Sequence, residues 1–347
     1  MAGIKEVAAK AGVSVTTVSR TLNNRGYISD AMRKRIQDAM DELHYRPNEV
    51  ARSLTRQRTR IIGVLMPEIN NAFFCEVISE LSKILTQRNY RMMLYQALSL
   101  EDKATEYIAM LEANQVDGMI VALRGEAIGH DLRADFPVVS FERLKIDNIP
   151  TVECDNEMGG YLAACELLDC GCRKPIMVWE KHSHGKMPAF DRFAGFSRCM
   201  EERNMPVEFV EVRQAESKVS YDELARRVFR EYPDADGVFC TSDTIASYLM
   251  QEAIRLRKRI PEDVKVVGFN DNTLAAMQTI PLTSIRQPIH DMCEAAVNCL
   301  MGQIHHEPFQ TDMIFPVTIS RRVSTRGYET GSDKEEEEAK HEPSKGI

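Results

Sequence analysis

From residue 61 onward the chain repeats one pattern: a short, near-continuous apolar run, then an amphipathic helical segment, then another run. The runs are Ile61–Met66, Arg91–Tyr95, Gly118–Leu123, Pro137–Phe141, Pro175–Trp179, Gly237–Cys240 and Val264–Phe269. Between them lie Glu76–Gln87, Lys103–Asn114, Glu157–Asp169, Phe190–Asn204, Ser220–Glu231 and Thr244–Arg257. A strand that is apolar on both faces has no wet side, so it belongs in a parallel sheet covered by helices above and below. The alternation predicts an α/β body. About 270 residues exceed one comfortable core, so two doubly wound lobes are expected. In such sheets ligands bind beyond the carboxyl ends of the strands, which places a ligand in the cleft between the lobes.

The first 46 residues have a different texture. Ile4, Val7, Ala8 and Ala11 form one apolar helical face, Gly12 suits a turn, and Ser14 can cap a second helix. That helix buries Val18 and Leu22 and leaves Val15, Thr16, Ser19 and Arg20 on its other face. Two short helices joined by a tight turn make a helix-turn-helix, whose second helix enters the DNA major groove. Small side chains, hydroxyls and one Arg suit phosphates and base edges. A plain helical hairpin within a larger bundle fits the same twenty or so residues. A third helix follows, with Ser29 as cap, Met32, Ile36, Ala39, Met40 and Leu43 as buried stripe, and Arg33, Lys34 and Arg35 facing out.

Charge separates the two regions. The whole chain carries −8, but residues 1–60 hold 12 Lys/Arg against 6 Asp/Glu, a net of +6, and the remainder a net of −14. A basic head on an acidic body fits a nucleic-acid partner for the head alone. Pro47 should end the third helix, and Asn48 can cap a short helix with Val50 and Leu54 on one side and Arg52 and Arg56 on the other. That segment is either a solvated linker or a hinge that orders on DNA. The organisation expected is thus a head over 1–46, a hinge over 47–60, a two-lobed body over 61–328 and a disordered acidic tail over 329–347.

Several classes find no support. No signal peptide or membrane-length apolar run is present, and the nine Cys are scattered, as expected for reduced thiols in a cytoplasmic protein. GxSxG, HExxH, P-loop and GxGxxG motifs are absent, so no enzyme is expected, and no cofactor. His182/His184 and His305/His306 lack accompanying ligands, so no metal is expected. Trp179, at a strand end, is either core or a stacking surface for a ligand. Two rival classes share the α/β scaffold: a transport-type sugar-binding protein, against which the missing signal peptide and the head argue, and a two-domain enzyme, against which the absent motifs argue.

Head, hinge and body together resemble the lactose/purine-repressor family of bacterial transcription regulators. The matching stretches are IKEVAAKAGVS, TTVSRTLN, YRPNEVARSL, IGVLMPEINNAFF, QVDGMI, DRFAGF, IPEDVKVVGFND, PLTSIRQP and SRRVSTRGY, in the family's order. YIAMLEANQVDGMIVA, Ser140–Arg143 and MIFPVTISRR are similar to sucrose-operon repressors in particular. The resemblance implies a homodimer on a near-palindromic operator, without membrane attachment. Val15, Thr16 and Arg20 would touch base edges; Ser14, Thr17, Ser19, Asn23 and Tyr45 would contact phosphates; Leu54, with Ala51 beside it, would wedge into the central base step. The chain would cross between the lobes three times, with one lobe from 61–157 and 287–315 and the other from 158–286 and 316–328. The effector cleft would draw on Asn71, Phe73, Phe74, Glu142, Arg143, Arg192, Ser242, Asp243, Asn270, Asp271 and Gln287. Aromatic faces, planar amides, carboxylates and guanidinium suit a sugar or sugar-phosphate effector. Phe73 or Phe74 can instead be core, and Asp243 a helix cap. Ser242 and Asn270 depart from the family's usual Asn and Asp, which removes one carboxylate from the cleft.

Overall fold

The structure, a computed structural model, describes residues 3–23, 26–46, 58–67, 69–96, 113, 115–122, 136–142, 149–181, 188–213 and 221–328. The expected hinge helix with Ala51 and Leu54, most of the Lys103–Asn114 segment, Arg143, His182, His184 and the acidic tail lie outside the described residues. The chain divides into two compact units, Met1–Arg60 and Ile61–Ile347.

Among the described residues the head holds three helices, α1 (Ile4–Ala11), α2 (Val15–Leu22) and α3 (Asp30–Glu42). Val7, Ala8, Ala11, Val18, Ile36, Ala39 and Met40 form its core, with Leu22, Met32, Leu43 and Tyr45 packed around it. Gly12 ends α1 in the left-handed region, φ 64°, which costs a glycine least. Ser14 caps α2 by accepting from the Thr17 N–H at 3.1 Å, and Ser29 caps α3 by accepting from Met32. Arg35, expected to face out freely, instead donates through Nη2 to the Ala11 carbonyl at 2.6 Å. That carbonyl lacks a helical partner because α1 has ended, and the guanidinium satisfies it.

Among the described residues the body holds two six-stranded sheets. The first is ordered β11-β5-β4-β3-β1-β2 and the second β12-β10-β9-β8-β6-β7. Strands β1 (Ile61–Met66), β2 (Arg91–Gln96), β3 (Gly118–Val121), β4 (Val138–Phe141), β5 (Thr151–Cys154) and β11 (Asp312–Phe315) pair in parallel. So do β6 (Pro175–Lys181), β7 (Glu208–Arg213), β8 (Gly237–Cys240), β9 (Lys265–Asn270) and β10 (Thr283–Arg286). Among the described residues, only β12 (Thr318–Ser320) runs against its neighbour. It follows β11 after two residues, so it enters the second sheet from the carboxyl ends of its strands and must run backwards. The two parallel-sheet lobes expected from the sequence are present, with this one antiparallel strand added at the edge of the second sheet.

The helices that cover the sheets are α4 (Ala72–Gln87), α5 (Asn156–Asp169), α6 (Pro188–Glu202), α7 (Tyr221–Glu231), α8 (Asp243–Arg255), α9 (Thr273–Met277), α10 (Ile289–His305) and α11 (Val323–Arg326). The chain leaves the first sheet after β5, returns with α10, which packs on α4, β3, β4 and β5, and crosses last between β11 and β12. Helices α5 and α6 meet backbone to backbone. A Cβ on Gly160 would sit 1.9 Å from the Arg192 carbonyl oxygen, and one on Gly195 would sit 1.8 Å from that of Glu157. Only glycine fits at either position, and the close crossing fixes where α6 presents Arg192.

Candidate functional site

On α2, Val15, Thr16 and Arg20 are exposed, Val15 at 40%. Apolar Val15 at the surface of so small a head is unsatisfied by its own fold. Ser14, Thr17 and Asn23 already have work within the helix. The Ser14 and Thr17 hydroxyls lie 2.9 Å apart, and the Asn23 amide donates to the Ser19 carbonyl at 2.8 Å. Tyr45 packs its ring against the head's core. Val15, Thr16 and Arg20 thus stand exposed on a helix whose ends are held by Ser14 and Asn23.

In the body, most cleft candidates sit where parallel strands end. Arg192, on the first turns of α6, is 8% exposed. Its Nε donates to Asn156 Oδ1 at 2.8 Å and its Nη1 to the Thr241 carbonyl at 2.7 Å. The guanidinium stacks 3.5 Å above the Phe269 ring. Its Nη2 lies 3.7 Å from Glu142 Oε2, a carboxylate that follows β4 of the other lobe. Glu142 has φ 61° and accepts from the Cys154 N–H at 2.6 Å through Oε1. Burial pushes the Glu142 carboxyl upward against the pull of Arg192, and burial also lowers Arg192. The pair thus spans the two sheets with its charges desolvated. Two of the guanidinium's donors are committed to Asn156 and Thr241, and the remaining edge faces Glu142 and whatever enters beside it.

Asp243 is not the helix cap. Ser242 caps α8, accepting from the Ile245 N–H at 3.3 Å, while Asp243 is 1% exposed inside the lobe. It accepts from the Ser284 hydroxyl and from the Asn272 N–H at 2.9 Å. Burial raises its pKa to about 7, partly offset by those two hydrogen bonds. Gly268 leaves room for it, since a Cβ there would lie 2.3 Å from Oδ1. Asn270, at the end of β9, accepts from the Gln287 amide at 2.9 Å. The Gln287 Oε1 is buried with no hydrogen-bond partner among the described residues.

Other candidates are occupied by the fold. Asp271 takes Arg286 Nε at 2.6 Å, the Ser320 hydroxyl at 2.7 Å and Arg322 Nη1 at 2.6 Å. That cluster ties β9 and β10 to the last strand rather than offering a free carboxylate. Asn71 caps α4, accepting from the Phe73 N–H at 3.0 Å. Phe73 and Phe74 are both core, 6% and 2% exposed, edge to face at 5.2 Å. Trp179 is core as well, stacked on Phe193 at 5.0 Å, although its Nε1 finds no hydrogen-bond partner among the described residues. Asn156, Thr241 and Phe269, which hold Arg192, were not among the sequence candidates. Asn156 opens a helix 36 residues before Arg192, and nothing local marks it as a partner.

A second contact joins the lobes. Glu76 of α4 accepts from both the N–H and the hydroxyl of Thr273 at 2.6 Å, so a carboxylate of the first lobe sits on the start of α9 in the second.

A three-helix head followed by two parallel-sheet lobes with buried polar groups at their strand ends defines a DNA-binding regulator with a ligand-binding body. Residues 3–48 match the lacI family of bacterial regulatory proteins, and residues 164–325 match a periplasmic binding protein-like domain. The ribose operon repressor of Bacillus subtilis is 34% identical over 328 residues, covering 94% of this chain and 99% of the relative. A sucrose operon repressor of Streptococcus mutans is 34% identical over 319 residues, covering 92% of this chain and 98% of the relative. The chain belongs to the lacI family of bacterial regulatory proteins. Among solved structures, the lac repressor dimer bound to operator and the anti-inducer ONPF matches with a TM-score of 0.79 at 22% identity, over 93% of this chain and 99% of that one, a likeness of fold. Among the described residues no helix is long and apolar enough to cross a membrane.

Proposed function

We propose that this protein is a transcriptional repressor whose affinity for operator DNA is set by a small carbohydrate bound between its lobes. The head over 1–46 reads the operator through Val15, Thr16 and Arg20, the segment 47–60 serves as hinge, and 61–328 binds the effector and pairs with a second copy. The repressor acts in the cytoplasm and turns over no substrate. The observation that carries the effector site is Arg192, a buried guanidinium held by Asn156 and Thr241, stacked on Phe269, and aimed at Glu142 across the lobe boundary. A planar donor fork beside a desolvated carboxylate pairs adjacent hydroxyls or one phosphate. The names of the ribose and sucrose operon repressors support the ligand class, a neutral or singly phosphorylated sugar.

The mechanism is a two-state coupling. Ligand bound by Arg192 from one lobe and Glu142 from the other changes the balance between open and closed lobes, a balance the Glu76–Thr273 contact also biases. The lobe state sets how two bodies meet and whether two heads engage one operator. Effector and operator then shift each other's affinity by the same factor. Calorimetry with ribose, sucrose, fructose and their phosphates, followed by operator anisotropy with and without the binder, tests this. A sugar that binds and shifts operator affinity supports the reading. Binding confined to a purine or another non-sugar metabolite overturns the carbohydrate and leaves the repressor.

A further inference from the structure

Away from the cleft, the seam between α5 and α6 brings two thiols together. Cys165 Sγ and Cys199 Sγ lie 3.1 Å apart. Cys199 is fully buried and Cys165 is partly exposed. The contact follows from the glycine crossing, because Gly160 and Gly195 let the two backbones touch and each cysteine lies about one turn further along its helix. Ion pairs on both sides hold the register. Arg198 pairs with Glu157 at 3.0 Å and stacks on Tyr161 at 4.7 Å, and the Tyr161 hydroxyl donates to Glu202 at 2.7 Å. Beyond the sulfurs, Arg203 lies 3.4 Å from Asp169. The thiols are therefore confined face to face, with one of them open to solvent.

We propose that Cys165 and Cys199 form a modification site, a dithiol that a peroxide converts to an intramolecular disulfide joining α5 to α6. Cys165, the reachable sulfur, attacks one peroxide oxygen; the O–O bond breaks, giving a sulfenic acid on Cys165 and releasing hydroxide. The Cys199 sulfur then attacks the sulfenic sulfur, the S–S bond forms and the oxygen leaves as water. Two thiols lose two electrons and two protons, and one hydrogen peroxide becomes two waters. Closing the bond from 3.1 Å needs rotation of side chains and little motion of the backbones. The order of attack follows the environment: burial pushes the Cys199 thiol up to about 12, while the Arg203 guanidinium pulls the other way. Cys199 thus suits the resolving role, and the partly exposed Cys165 the attacking one. The bond would couple to the cleft, since α5 carries Asn156 and α6 carries the Arg192 it holds.

The test uses the full-length folded protein, exposed to hydrogen peroxide, alkylated to block remaining thiols and digested with trypsin without reduction. Cleavage isolates Cys199 in the peptide 199–203 and Cys165 in the peptide 146–173. The expected product is these two peptides joined, fragmenting to a Cys165–Cys199 link, and reverting to the separate peptides with dithiothreitol. Because peptide 146–173 also holds Cys154, Cys170 and Cys172, the Cys165→Ser variant must lose the linked species. Two results overturn the proposal: Cys199 recovered alkylated while other thiols are oxidised, or a link to Cys199 that survives Cys165→Ser.

Discussion

On α2 the side chains proposed to meet DNA stand on an open helix surface, Val15 at 40% exposure and Arg20 and Thr16 exposed beside it. In the body the candidates Arg192, Glu142, Asp243, Asn270 and Gln287 are each at most 8% exposed and hydrogen-bonded to one another or to nearby backbone. The contrast follows from the two partners. A duplex is a large polyanion that brings its own surface, so the head needs only a rigid convex edge and positive charge, and the groove supplies the complementary shape. A small ligand has few atoms, so affinity must come from groups already desolvated and oriented. The head can therefore be local, forty residues capped and packed on themselves. The cleft must be non-local, assembled from loops far apart in the chain, and its groups pay in shifted pKa values for being buried.

The largest effect separates the two regions outright. Gly195→Ala forces a methyl to within 1.8 Å of the Glu157 carbonyl oxygen, backbone that cannot yield without moving α5 from α6. The cost should be about 3 kcal/mol or more, at the upper end of overpacking. Calorimetric scans should show the body's transition falling by many degrees with the head's helices retaining their signal. An unchanged body transition would mean that the crossing is looser than the backbone shows.

Arg192→Ala comes next. It removes a charge held by Asn156, Thr241 and Glu142 and leaves the buried Glu142 without its cation. Ligand affinity should drop by about 1.5–3 kcal/mol, the range for a hydrogen bond to a charged group. Operator binding in the absence of ligand should persist, measured by anisotropy. Loss of both functions together would blur the division between head and body.

Asp243 sharpens the comparison through pH. Its carboxyl ordinarily titrates near 3.8, and burial raises it to about 7 in the folded body. A carboxyl whose folded pKa lies above its unfolded value favours folding most below the unfolded value. That contribution disappears as pH rises through the folded one. Body stability should therefore decline between pH 4 and 7, by at most about 4 kcal/mol from this group, since each pKa unit is worth about 1.4 kcal/mol. Asp243→Asn keeps an oxygen for the Asn272 N–H and can donate to Ser284, so the same urea titrations should lose that slope. A slope that persists in the variant would assign it to Glu142 and other carboxyls.

How far these features could be seen in the sequence depends on how local each one is. The apolar runs at β1, β8 and β9 were legible because these interior strands are covered by helices on both faces of their sheets, so both faces must be apolar. Strands β5, β7, β10, β11 and β12 were not. Glu208–Arg213 is interrupted by three charged residues because β7 is an edge, and Thr318–Ser320 is too short to show a period. The Ser14 and Ser29 caps were visible, since a cap and its N–H partner are three residues apart. The types of residue in the cleft were readable, but their pairings were not. Arg192 with Asn156, Asp243 with Ser284 and Asp271 with Arg322 join elements far apart in the chain, and no spacing rule reaches across them. The glycines at 160 and 195 look ordinary in sequence; only the crossing makes them irreplaceable.

On the head, Arg20→Ala should weaken operator binding by about 1–3 kcal/mol and relax one base position in each half-site, if its guanidinium meets a base edge. Competition assays over single-base operator variants check this. A uniform loss with a shallower salt dependence would make Arg20 a phosphate contact.

The smallest effect belongs to Ser14, which serves the head twice. Its hydroxyl caps α2, accepting from the Thr17 N–H at 3.1 Å, and it lies 2.9 Å from the Thr17 hydroxyl at the end of the helix proposed to face DNA. Ser14→Ala should destabilise the head by about 1 kcal/mol, the usual worth of such a cap. Operator affinity should fall by a similar amount if Ser14 also meets a phosphate. Ser14→Asp separates the two roles. An aspartate caps as well as a serine and adds a charge that favours a helix N-terminus, so the head's thermal transition should hold or rise. The same charge repels a phosphate, so operator affinity should fall further than in Ser14→Ala. If Ser14→Asp instead binds operator as tightly as the parent, Ser14 acts only as a cap, and the DNA-facing surface of α2 begins at Val15.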